Sequence, residues 1–145
     1  MDFIEMSSRI VLAALLGGAV GIEREIHGSD AGFRTHILVC LGSSLFMMIS
    51  FLMSQEYGSM GTVDPSRIAA GVVTGIGFLG AGAVMRSGTS IQGLTTAASI
   101  WAVSAIGLAI GAGLFTAGTL TSGVVLVVLY SSRFKRKLDK VKKHR

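Results

Sequence analysis

The sequence predicts an all-α fold, a polytopic transmembrane bundle of about five helices, and three observations carry that reading. Half of the 145 residues are hydrophobic and 14% are charged, against roughly 25% charged in an ordinary soluble domain. Five apolar stretches, each close to the ~20 residues that a 30 Å hydrocarbon core requires, are separated by polar or glycine-rich breaks. Eight of the thirteen basic residues fall in 133–145, where a cluster beside a membrane span marks the cytoplasmic side. The rest of the chain is slightly acidic, so the net charge of +5 is a property of the tail. The expected partner of that tail is anionic lipid rather than nucleic acid. The expected organisation is a five-helix transmembrane domain over 1–132 followed by a basic cytoplasmic tail over 133–145.

Helix one is expected from about Ser7 to Ile22, with Arg9 near its start. Gly17 and Gly21 form a small-xxx-small pair, a surface on which another helix can approach closely, in the same chain or in a second copy. The acids Asp2 and Glu5 precede this stretch, so it does not read as a signal peptide. A polar run follows from Glu23 to His36, with Gly28, Ser29 and Gly32 supplying a turn. Its charges lie at apolar helix ends, where long side chains snorkel to the interface.

Helix two is expected from about Thr35 to Met53. Cys40 lies inside it; a single cysteine excludes an internal disulfide and reads as a small buried hydrophobe. The loop 54–66 carries Glu56 and Asp64 and no Lys or Arg. Pro65 suits the first turn of helix three, with Asp64 as its N-cap.

Helix three is the run Ile68–Met85, uncharged, between Arg67 and Arg86. It contains Gly71, Gly75, Gly77, Gly80 and Gly82. Each interior glycine costs roughly 1 kcal/mol relative to alanine in a water-exposed helix, but missing side chains let membrane helices approach. The run matches G-x-G-x-x-G at 75–80. A dinucleotide site needs a strand before that motif and an acid about 20 residues on; no acid follows until Asp139, so the packing reading replaces it. Helix three is therefore expected to be a transmembrane helix built for close contact. A polar turn over 87–93 leads to helix four, about Leu94–Ile110, which carries Thr95, Thr96, Ser99 and Ser104. Gly111–Gly113 allow a reversal into helix five, about Leu114–Tyr130. With the tail inside, five spans place the N-terminus outside, the 23–36 and 86–93 loops inside and the acidic 54–66 loop outside.

Candidate binding or interaction residues are Glu23, Arg24, Glu25, Arg34, Thr35 and His36 at one face, Asp64 and Arg67 at the other, and Thr95 and Thr96 on helix four. The first set reads either as interface charge or as a site in which an acid pairs with an arginine; a position facing the bundle interior favours the site, because buried intramembrane charges are costly and have partners. Asp64 and Arg67 read as a cap and an interface arginine, or as a cation or partner site with few carboxylates for magnesium. The hydroxyls of helix four read as interhelical hydrogen bonds or as a polar lining. His27, His36 and His144 have no nucleophile or metal-ligand spacing nearby, so neither an enzyme nor a cofactor is expected, and a metal site is left undefined.

Several blocks, in order, resemble the MgtC/SapB membrane-protein family: Glu23–Glu25, Ala31–His36, Asp64–Ala70, Gly75–Gly82 and Gly93–Trp101. The resemblance covers about residues 7–130. It implies a bacterial inner-membrane protein with a hydrophobic domain of about five helices, in which helix three is expected to be the central packing element. Some members are linked to growth and virulence under low magnesium and are thought to act on membrane partners, including the F-type ATP synthase, although members are often labelled magnesium transporters. Many continue into a soluble domain resembling the ACT fold; this sequence ends at Arg145 after its basic tail, so the expectation is the membrane module alone. The leading expectation is a non-enzymatic module that binds membrane partners or itself through helices one and three, and the alternative is a transporter or channel for magnesium or another small ion.

Overall fold

The computed structural model describes residues 1–58, 64–87 and 89–143, with the backbone alone at 86–87 and 132–143. Gly61 of the acidic loop and His144 of the tail lie outside the described residues. Five helices and one short hairpin are present among them: α1 Phe3–Ile26, α2 Phe33–Tyr57, α3 Ser66–Ala83, β1 Met85–Ser87, β2 Ser90–Gln92, α4 Leu94–Gly111 and α5 Phe115–Lys143. The strands pair antiparallel, Arg86 opposite Ile91, where the sequence predicts a polar turn.

α1 is longer than expected at both ends. Asp2 caps it by accepting the Glu5 N–H at 2.9 Å, and the helix runs on through Glu23, Arg24 and Glu25. It stops at Gly28, whose φ of +67° is the left-handed conformation that only glycine adopts at little cost. The Ser29 N–H bonds the Arg24 carbonyl and the Gly28 N–H bonds the Glu25 carbonyl, the paired bonds of a Schellman stop. α4 ends in the same way at Gly113, φ +82°, with Leu114 N–H on the Ala109 carbonyl and Gly113 N–H on the Ile110 carbonyl. The break expected at 111–113 is therefore a formed helix stop.

α1 to α4 are each long and apolar enough to cross a membrane, while the apolar part of α5, Phe115–Ser131, is shorter. α5 continues as helix to Lys143, past the expected end near Tyr130. α2 and α4 pack against each other, α1 lies on both, and α5 lies on α4 and α1. Their shared core is Ala13, Val20, Cys40, Val103, Ile106, Ile110 and Leu129. Many large apolar side chains face outward, Phe78 and Val127 among them, which in lipid carries no penalty.

The close helix contacts are made by glycines. A Cβ on Gly17 would come within 2.7 Å of Cys40 Cβ, and one on Gly21 within 2.7 Å of Phe33 Cα, so α1 lies backbone to backbone on α2. Gly107 and Gly111 do the same for α4, each facing a backbone carbonyl of α2. The expectation that α3 is the central packing element is corrected. α3 buries only Ile76 and lies at the edge of the bundle against α4 and α2. A Cβ on Gly71, Gly75, Gly77 or Gly82 would meet nothing within 4 Å, and one on Gly80 only the Ala97 methyl at an ordinary 3.7 Å.

Candidate functional site

Four buried polar residues, Arg24, His36, Thr96 and Ser99, gather where the end of α1 meets the starts of α2 and α4. Arg24 is buried, and its Nε donates to Glu23 Oε2 at 2.6 Å. His27, one turn after Glu23, bonds the Glu23 backbone carbonyl through Nδ1, and the same nitrogen lies 3.0 Å from Glu23 Oε1. Glu23 Oε1 and His27 Nε2 are both buried and make no hydrogen bond. Adjacent positions on a helix do not face each other, so the Glu23–Arg24 pair depends on the reach of two long side chains.

His36 is the centre of the cluster and is fully buried. Its Nδ1 lies 2.8 Å from the Gly32 carbonyl. A carbonyl only accepts, so Nδ1 carries the proton. Its Nε2 lies 3.0 Å from Ser99 Oγ on α4. The Ser99 hydroxyl is also 2.8 Å from the Thr96 carbonyl, so one proton has two acceptors within reach. Thr96 Oγ1 closes the cluster by meeting Ser29 Oγ at 3.0 Å. Arg24 and Glu23 are charged neighbours of His36. The arrangement ties α1, α2, α4 and the 27–32 loop into one polar knot at one end of the bundle.

Not every predicted residue joins it. Glu25 is exposed and accepts the Phe33 N–H at 2.8 Å, capping α2 where Gly32 offers no side chain. Arg34 and Thr95 are exposed and Thr35 is half-buried. Asp64 and Arg67 stand at the opposite end of the bundle. Asp64 accepts the Ser66 N–H through Oδ1 and the Ser66 hydroxyl through Oδ2, both at 2.8 Å, and these bonds hold its carboxyl below the usual carboxylate range. Pro65 is already helical at φ −66°, ψ −17°, so Asp64 serves the first turn as an N-cap does. Among the described residues no group of three or more His, Cys, Asp or Glu side chains converges on a point.

Sequence reasoning gave Arg9 no partner. It sits at the same end as Asp64, pairs with Glu5, donates to the Gly111 carbonyl at 2.5 Å and lies 5.8 Å from the Phe115 ring centre. It thus supplies a donor to the carbonyl end of α4. Ser29 was also outside the predicted site, whereas Ser99 is one of the helix-four hydroxyls read as interhelical hydrogen bonds or a polar lining, and it makes such a bond. The available signal was the i, i+3 spacing of Thr96 and Ser99, which places two hydroxyls on one helix face.

A family model described as the MgtC family matches residues 10–138. Among similar proteins, “Putative magnesium transporter YhiD” of Escherichia coli K12 is 48% identical over 127 residues, which is 86% of this chain and 59% of that protein. Protein SrpB of Synechococcus elongatus is 40% identical over 144 residues, 93% of this chain and 78% of that one. Protein MgtC of Brucella abortus is 40% identical over 116 residues, 80% of this chain and 46% of that one. The chain thus spans about half the length of several of the relatives it matches. No solved structure matches it.

Proposed function

The chain belongs to the MgtC family, and from that premise we propose that it is a non-enzymatic membrane module that acts by binding other membrane proteins, or a second copy of itself, through α3. The observation that carries this is the unused face of α3. Ala70, Thr74, Gly77 and Ala81 recur at helical spacing and are all exposed. A stripe of small residues is the surface on which membrane helices approach. The glycines of α1, by contrast, are already occupied by α2. The polar knot supports the same reading, because it locks α1, α2 and α4 together and leaves α3 at the edge. Within this reading the module lies in a bacterial inner membrane, N-terminus outside, with 133–145 as a cytoplasmic tail appended to 1–132, and its link to magnesium limitation rests on the family resemblance.

The test is cross-linking of the protein in native membranes. Gly77→Leu enlarges the exposed stripe at a position where an added Cβ meets nothing within 4 Å and is expected to remove the cross-linked species; unchanged cross-linking would overturn the reading.

A second reading is transport of magnesium or another small ion. It is favoured by the name carried by the E. coli relative and by Glu23 and Arg24 within a membrane-length helix, with His27 at its C-cap, since ionisable residues there mark ion paths in many transporters. Protein in liposomes should then move magnesium, and flux no greater than in empty liposomes would exclude it.

A further inference from the structure

A groove of about 590 Å³ lies between α2 and α3. Leu38, Gly42 and Phe46 line one wall and Gly71, Gly75 and Leu79 the other. The α2 residues follow one another at four-residue steps, so they form one ridge, and the residue one step earlier on that ridge is Arg34. Arg34 is exposed. Its side chain makes no hydrogen bond or ion pair among the described residues, and the first turn of α2 contains no acid. An arginine without a partner among the described residues therefore lies one helical turn beyond the α2 wall of a groove with a mostly apolar lining.

We propose that the groove holds an acyl chain of an anionic phospholipid whose phosphate is bound by Arg34. Charge sets this occupant. From Ile68 to Leu79 the groove follows about eleven helical rises, roughly 16 Å, between apolar walls. Arg34 lies one turn beyond its α2 wall, which complements a hydrocarbon chain carrying an anionic head. Apolar contact alone does not distinguish this site from bulk lipid, since lipid tails are as apolar as leucine. The discrimination comes from the headgroup, where an arginine recognises phosphate through its planar fork of donors. Arg67, at the other end of the groove, lies one residue off the lining stripe and has Asp64 as an electrostatic neighbour, which makes it the weaker anion site. The groove and the outward stripe of α3 are different faces of that helix, so lipid and protein partner do not compete.

The experiment is native mass spectrometry of the full chain in detergent, with phosphatidylglycerol and phosphatidylcholine added as separate probes. The wild type is expected to carry one phosphatidylglycerol, preferred over phosphatidylcholine by about fivefold, the contribution of one arginine near an anionic headgroup. Arg34→Gln should abolish the preference while Arg67→Gln leaves it. The double variant Gly71→Leu/Gly75→Leu should remove both adducts. A Cβ at either glycine meets nothing within 4 Å, and circular dichroism verifies that the variant keeps its fold. The proposal is overturned by a wild type without lipid adducts, by equal adducts on the filled groove, by a preference that survives Arg34→Gln, or by a second chain in the lipid's place.

Discussion

His36 Nε2 meets Ser99 Oγ at 3.0 Å across 63 positions of sequence, joining α2 to α4 in the interior of the bundle. The imidazole is fixed at its other nitrogen by the Gly32 carbonyl, so its orientation is set by α2 and its partner is supplied by α4.

Ser99→Ala leaves a fully buried ring nitrogen without a partner. Interhelical hydrogen bonds in membrane proteins contribute on average about 0.6 and at most about 1.7 kcal/mol. Thermal or denaturant unfolding in detergent should show a loss in that range. Thr96→Ala, which removes only the contact to Ser29, should cost less, and combining the two should be non-additive because they share one network.

Gly17→Ala and Gly107→Ala place a methyl against backbone of α2. Overpacking of this kind costs about 1–3 kcal/mol. Gly77→Ala places its methyl in open space and is expected to be neutral, or to stabilise by up to about 1 kcal/mol through helix propensity. Unfolding curves of the three variants, compared side by side, separate packing glycines from free ones.

Arg9→Gln withdraws the cation from the carbonyl end of α4. A positive charge there contributes about 0.3–2 kcal/mol, depending on burial. Hydrogen exchange of the amides at 112–115 should speed up accordingly. Arg9→Lys restores the charge but not the planar fork, so it should recover part of the protection.

The Asp64 carboxyl is held low by the Ser66 hydroxyl and N–H. A carboxyl depressed by folding contributes stability above its unfolded value, ordinarily about 3.9, and loses it as pH falls through the folded value. Amide exchange at the start of α3 should therefore rise as pH drops from about 4 downward, after correction for the intrinsic rate, and Asp64→Asn should flatten that dependence. The group is fully exposed, so the effect is local and salt-sensitive.

Much of the helix pattern was legible because each apolar run had to satisfy its own backbone in lipid, and only helices of membrane length do so within one segment. Helix ends were less legible. Glu23, Arg24 and Glu25 look like loop, yet they are helical, because the left-handed stop is set by Gly28 and not by the first charge. The candidate site was read in part. Arg24 and His36 turned inward, while Glu25, Arg34 and Thr95 stayed at the surface, and nothing in a linear pattern tells these apart when every charge lies near a helix end. Arg9 was invisible as a cap because its acceptor, Gly111, lies 102 positions away.

The sequence by itself determined that the protein is a membrane bundle, where its glycine stops fall and which family it resembles, since those depend on composition, length and local order. The tertiary structure decided which glycines are contacts. α3 has the densest glycines and uses almost none of them within the chain, whereas the isolated pairs Gly17/Gly21 and Gly107/Gly111 hold α1 and α4 against α2. A glycine permits a close approach but does not create one. Whether a neighbour arrives depends on helix order and rotation, which are set by long-range pairs such as His36 and Ser99.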